Sequence, residues 1–276
     1  MKDQYVIAYL ADLTMNETVV SHAAALARML NKGLILLYVE DPAYKNTPFT
    51  QIGQTLKSIE EQYADVHPSH IALRGNTKDV ISILPTKFNG VVAVAGVNAK
   101  AHRGSLTHYR QVLRIFAQCQ IAYLTVQSPC TSAPSYRQVA YSVDFRKESK
   151  EKLIWASYFA RFNGSQLNVM HFDYSDEGLR KKWKNNILFM QKFFKGLGVQ
   201  YQSQVVTGRT LFPETLVCQT AAQKGMDLLI STTTDTRDLD IIEWFAGVSE
   251  HRTIRNSHQI PVLFINPRND IYVLCD

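Results

Sequence analysis

The chain states one pattern twice, and that repeat limits its fold more than any other feature. Residues 7–12 (IAYLAD) are a short apolar run ending in Asp12, and residues 139–144 (VAYSVD) repeat it with Asp144, 132 positions on. Ala27-Arg28 and Ala160-Arg161 each fall late in a helical stretch, 133 positions apart. The strand-like runs 34–39 (LILLYV) and 167–172 (LNVMHF) follow, and then Gly75 and Gly208, again 133 apart. Each half closes on a similar run, 121–126 (IAYLTV) and 260–265 (IPVLFI). Landmarks in constant order at near-constant spacing mark a duplication. The Pro- and Ser-containing stretch between the halves reads as a linker. The expected domains are therefore 1–127 and 137–276, joined by 128–136.

Within each half, apolar strands alternate with helical patterns. The first helix opens on Thr14-Met15-Asn16-Glu17, a capping-box pattern. It is expected to bury Val20, Ala23, Ala24, Ala27 and Leu30 and to stop near Gly33. The fourth main helix of the first half places Tyr109, Val112, Leu113 and Phe116 on one side. Runs such as VVAVA and DLLIS are continuously apolar, as parallel strands covered on both faces must be. The expected fold class is α/β: two tandem doubly wound parallel five-stranded sheets. Such sheets bind ligands beyond the carboxyl ends of their strands, at a topological switch point. Asp12, Asp144 and the turn after Ala95 fall there.

Charge narrows the function classes. The net charge is +6, made of 12 basic and 9 acidic residues in 1–130 and 18 against 15 in the rest. Each half is thus +3, without the concentrated stripe of a nucleic-acid binder. The densest basic stretch, Arg180 to Lys184, lies in a helical pattern whose apolar face is Leu179, Trp183, Ile187, Met190 and Phe194. Its cations read as that helix's solvated face. No apolar run approaches the roughly 18 residues of a membrane span. The start MKDQYVIAYLAD lacks a signal peptide's apolar segment. A cytoplasmic protein is expected, with neither nucleic acid nor membrane as partner. Cys119, Cys130, Cys218 and Cys275 form no C-x-x-C pair, and His67 with His70, placed in a Pro-containing loop, lacks a third ligand. No metal site is expected. There is no nucleophile elbow and no P-loop, so no catalytic constellation and no enzyme is expected.

The arrangement resembles the universal stress protein family in its tandem two-domain form. The resemblance rests on Tyr141-Ser142-Val143-Asp144-Phe145, similar to the family's first strand and aspartate. It rests also on Arg255-Asn256-Ser257-His258-Gln259-Ile260-Pro261-Val262-Leu263, similar to its last helix and strand. The resemblance implies an adenine nucleotide alpha hydrolase-like fold with the halves packed as an internal pseudo-dimer, strands 121–126 and 260–265 side by side. A further homodimer stays open. It implies that the first-strand aspartate lies beside the adenosine of ATP, and that a loop G-x2-G-x9-G-[ST] grips the phosphates. Glycines there let backbone N–H groups approach oxygen, and a helix start favours an anion.

Both loops depart from that pattern. In the first half Gly96 stands first and Gly104-Ser105 last, but Ala99 takes the middle place, and the span is 8 positions where the family has 13. Its residues Lys100, His102 and Arg103 are basic and suit an anion; the same stretch also reads as a short solvated turn. In the second half Thr232 and Asp235 stand where the family has glycines, and Gly247 is followed by Val248. Asp235, Asp238, Asp240 and Glu243 there face one cation, Arg237, and would repel a triphosphate. Asp12 and Asp144 read either as turn caps or as binding residues. The candidate site is Asp12, Gly96, Lys100, Arg103, Gly104, Ser105 and Asp144, with ATP or AMP as the cofactors it could take. The function expected is a stress-response or regulatory module acting through interactions with a protein partner, its nucleotide sites degenerate. The alternative is an anion- or adenine-nucleotide-binding protein using the first-half loop.

Overall fold

A computed structural model describes residues 4–11, 13–44, 52–117, 119–127, 129, 133–146, 150–172, 174, 176–207, 213–233, 249–256 and 258–266. The chain divides into two compact units, Met1–Ser135 and Tyr136–Asp276.

The first unit runs β1 (Tyr5–Tyr9), α1 (Asn16–Leu30), β2 (Gly33–Glu40), α2 (Gly53–Gln62) and β3 (Pro68–Arg74). It continues through α3 (Thr77–Ser82), α4 (Leu84–Lys87), β4 (Gly90–Gly96), α5 (Tyr109–Phe116) and β5 (Ala122–Val126). Its strands stand in the order β3-β2-β1-β4-β5, all parallel. Residues 6–9 of β1 and all of β5 are buried, whereas edge strand β3 carries exposed positions. Pro68, which has no N–H to donate, opens that edge strand as its chemistry requires. His70 lies within β3, with its Nδ1 2.8 Å from Glu60 Oε1, and not in a loop as the sequence suggested.

Helix α1 departs from its expected ends. A 3₁₀ turn over Leu13–Met15 leads in, and the N-cap is Met15, which makes no side-chain cap hydrogen bond, where the sequence pattern placed Thr14. Its stop is Asn31, left-handed at φ 53°, whose N–H bonds the carbonyls of Ala27 and Arg28; Gly33 already begins β2. Asn tolerates that conformation where most side chains do not. On α5 the buried residues are Val112, Ile115 and Phe116. Phe116 stacks on Tyr123 at 4.9 Å and meets Tyr9 edge-on at 6.0 Å, tying α5 to two strands.

Burial also gives this unit a pH dependence. His22 of α1 is buried, and loss of hydration pushes its imidazole down to about 4. The unfolded chain therefore takes up a proton below about pH 6.5 that the folded unit refuses. Stability falls as pH drops from about 6.5 to about 4, by at most about 1.4 kcal/mol per pH unit. His22→Leu is expected to flatten that part of the profile, measured as the calorimetric unfolding temperature against pH.

The second unit runs β6 (Gln138–Val143), α6 (Lys152–Phe162), β7 (Gln166–His171), α7 (Glu177–Gly196) and β8 (Tyr201–Val205). Then follow α8 (Pro213–Gln223), β9 (Leu228–Thr232), α9 (Ser249–Ile254) and β10 (Val262–Ile265). The order is β8-β7-β6-β9-β10, again parallel. Each unit is thus a doubly wound parallel five-stranded sheet, as expected. The strand registers fix the repeat more closely than the sequence does. Tyr5 pairs with Gly33 and Gln138 with Gln166, an offset of 133 on both strands. Carried past the strand ends, that register makes Ala11, not Asp12, the position equivalent to Asp144. On α7, Met190 and Phe194 are buried while Lys181, Lys182 and Lys184 are exposed, the arrangement its period implied.

Candidate functional site

In the second unit the chain reverses its winding at β6, whose neighbours β7 and β9 lead away in opposite directions. Just past the carboxyl end of β6 sits Asp144. Its Oδ1 accepts the N–H of Arg146 at 2.9 Å, a turn closed two residues on. Its Oδ2 accepts the Arg146 guanidinium twice, from Nη2 at 2.7 Å and Nε at 3.0 Å. The same Nη2 lies 3.1 Å from Glu214 Oε1, in the first turn of α8. Glu214 Oε2 accepts Ser231 Oγ of β9 at 2.8 Å. From the first residue of α6, Lys152 reaches in. Its Nζ donates to Ser142 Oγ at 3.0 Å and lies 3.6 Å from Asp144 Oδ2 and 3.9 Å from Glu214 Oε1. Asn186 of α7 completes the wall by donating to the carbonyls of Asp144 (2.9 Å) and Arg146 (2.8 Å).

Two carboxylates and two cations therefore share one place at the switch point of the sheet. The Lys152 side chain is 0% exposed, and those of Asp144 and Glu214 are 12% and 13% exposed. Burial alone would raise the Asp144 carboxyl, but the charges of Arg146 and Lys152 and the hydrogen bonds from Arg146 outweigh it. They hold the group well below the usual carboxylate range. Its contribution to stability is present above the unfolded carboxylate's pKa of about 3.9 and is lost as pH falls below that. Arg146 is held charged despite its burial by Asp144, Glu214 and then Glu250 of α9. Burial, with the two carboxylates behind it, pushes the Tyr174 hydroxyl far above its ordinary value. Phe145 meets the Tyr174 ring edge-on at 5.4 Å.

The register offset shows how far this differs from the first unit. The positions matching Ser142, Asp144 and Lys152 are Tyr9, Ala11 and Val19, all buried and none charged. Among the described residues, the ionic cluster is thus specific to the second copy. Sequence reasoning singled out Asp144 but missed Arg146, Lys152 and Glu214. One signal was available: Lys152 falls on the buried stripe of α6, in step with Ala156 and Phe159.

The first-unit candidates are arranged differently. Gly96 ends β4, and a Cβ there would lie 2.9 Å from Met15 Cβ and 3.2 Å from Val19 Cγ2. Its missing side chain therefore serves the close approach of β4 to α1. Lys100, Arg103, Gly104 and Ser105 come together in one surface turn, with Lys100, His102 and Arg103 exposed. The turn satisfies many of its own donors. Lys100 N–H bonds Asn98 Oδ1 at 2.9 Å, and Gly104 N–H bonds His102 Nδ1 at 3.1 Å. Ser105 N–H reaches the His102 carbonyl at 2.9 Å, and Asn98 N–H the Thr107 carbonyl at 3.0 Å. Ser105 Oγ pairs with Thr107 Oγ1 at 2.9 Å. Gly104-Ser105 does not open the helix, contrary to expectation: α5 starts at Tyr109 and is capped by His108, whose side chain accepts Arg110 N–H. The geometry is that of a short self-bonded solvated turn.

Asp12 lies outside the described residues, as do Gly208, Asp235, Arg237, Asp238, Asp240, Glu243, Gly247 and Val248. Thr232, at the end of β9, is buried. Among the described residues no group of His, Cys, Asp and Glu is set to hold a metal ion, and no helix is long and apolar enough to cross a membrane.

No family model and no curated protein matches the chain. Solved structures do. A universal stress protein from Archaeoglobus fulgidus is similar with a TM-score of 0.73 at 11% identity, covering 96% of this chain and 97% of its own. A putative universal stress protein from Pseudomonas aeruginosa gives 0.67 at 12% identity, over 99% of this chain and 96% of its own. The cytoplasmic domain of a prokaryotic cation chloride cotransporter gives 0.56 at 12% identity, over 99% and 100%. The resemblance seen in the sequence is thereby borne out at the level of the fold, over nearly the whole chain.

Proposed function

We propose that this chain, built on the fold of the tandem universal stress proteins, is a cytoplasmic regulatory module that works through protein contacts and has given up nucleotide chemistry. In this reading its domains are 1–127 and 137–276 on the linker 128–136, acting as an internal pseudo-dimer. The observation that carries it is the cluster of Asp144, Arg146, Lys152 and Glu214 at the carboxyl end of β6. The resemblance assigns that aspartate to an adenosine, yet here its carboxylate is saturated by the protein's own cations. A ribose hydroxyl would have to displace a charge-assisted bond of 2.7 Å to reach it. Glu214, close behind, would repel an incoming phosphate.

A second reading has one observation in its favour. The exposed Lys100, His102 and Arg103 surround Gly104, so an adenine nucleotide or another anion could settle on the first-half turn. Either way, no ATP hydrolysis of consequence is expected. Phosphoryl transfer needs positioned phosphates and stabilised charge, and a turn that spends its N–H groups on itself offers little of either. A coupled phosphate-release assay, with and without magnesium, is expected to show no sustained turnover. Turnover that vanished in Asp12→Ala or Gly104→Val would overturn this part of the reading.

A further inference from the structure

In the second unit, α6 and α7 bury one stripe each against the sheet and show a second apolar stripe to solvent. Leu153, Ala156 and Phe159 of α6 face inward, as do Met190 and Phe194 of α7. Outward stand Ile154 and Phe162, 41% and 51% exposed, and Leu188 and Phe189, 54% and 42% exposed. Between Ile154 and Phe162 the rings form a ladder, Trp155 to Tyr158 at 5.6 Å and Tyr158 to Phe162 at 5.4 Å. Just before α6, Lys150 Nζ lies 4.9 Å above the Phe189 ring of α7. At the far end Arg161 lines an open groove of ≈ 560 Å³ shared with Gln166, Gln200, Tyr201 and Gln202. The 133-residue offset supplies an internal control. The α1 positions matching Ile154, Tyr158 and Phe162 are Ser21, Ala25 and Met29. The aromatic stripe, like the ionic cluster, belongs to the second copy.

The charges on these two helices are predominantly positive. Helix α6 contains no carboxylate, and α7 carries Glu177 alone, at its first residue, against six Lys and Arg. Exposed Lys150, Arg161, Lys182, Lys184 and Lys192 lie on the same two helices or at their start. We propose that this face is a docking surface for an acidic amphipathic helix of a partner protein. Aromatic anchors with a basic rim fit a partner whose apolar stripe is flanked by carboxylates. A second copy of the chain fits badly, because cation would meet cation. A lipid surface is disfavoured because the main apolar face of each helix is already committed to the sheet, leaving only a narrow stripe.

The test uses the full chain and a fluorescent synthetic helical peptide with a Leu/Phe stripe and Glu at its other positions. Controls are the same peptide with Lys for Glu, and phosphatidylcholine vesicles containing phosphatidylserine. The acidic peptide should bind, more weakly as salt is raised, while the Lys peptide and the vesicles should not. Ile154→Ser and Phe162→Ser should each weaken binding by about tenfold. The paired Lys182→Glu and Lys184→Glu changes, which touch no core packing, should do the same. Failure of the acidic peptide to bind, equal binding by all variants, or preference for vesicles would each overturn the proposal. Nucleotide titrations are read separately, so either result can fail without the other.

Discussion

Lys152→Ala is expected to destabilise the second unit by about 3–5 kcal/mol, among the largest effects of any single substitution in the chain. The ammonium is fully buried, and removing it leaves Asp144 and Glu214 sharing a single guanidinium. Two largely buried carboxylates then repel each other with one cation fewer to offset them. Trp155, Trp183 and Trp244 all belong to this unit, so tryptophan fluorescence during denaturant unfolding reports it selectively. Adding Glu214→Gln to Lys152→Met should recover part of the loss, since one charge of each sign is then gone. A double-mutant cycle on the two positions measures the coupling. A cost for Lys152→Ala below about 1 kcal/mol would mean the ion pair behaves as if at the surface.

Gly96→Val is the second large effect, expected at about 1–3 kcal/mol or more in the first unit. The new Cβ would press on Met15 Cβ at 2.9 Å, an atom fixed to the backbone that cannot swing aside. Gly104→Val, in the exposed turn, should cost little stability, within about 0.5 kcal/mol. Calorimetric unfolding of both variants separates the two roles that the sequence pattern had merged. If Gly96→Val were as stable as the parent, the close approach of β4 to α1 would not be what the glycine serves.

Much of the fold was legible because it rests on repetition and on continuous apolar strands. The runs at 34–39 and 167–172 became β2 and β7, and the helical period at 179–194 became α7. Helix ends were not legible, because Met15 and Asn31 do work that stronger capping residues usually do. The first-half turn was placed as a unit, but the start of α5 was read too early by several residues. A glycine-serine pair signals a helix start only if the chain helicalises at once, and here Leu106, Thr107 and His108 intervene. The ionic cluster was the real gap. Asp144 could be named from its place after a strand, whereas Glu214 joins it from 70 residues further on, a distance no local pattern spans. Lys152 alone left a trace, as a cation where the helix period required an apolar residue.

In the proposed reading, the ligand end of the second unit is closed by the protein's own charges. Isothermal titration of the full chain with ATP, ADP and AMP, with and without magnesium, tests it most directly. No binding to the second unit is expected. Any weak heat should come from the first-half turn, disappearing in Gly104→Val and persisting in Gly247→Val. Tight binding that survives Gly104→Val and is lost in Asp144→Ala or Gly247→Val would contradict it.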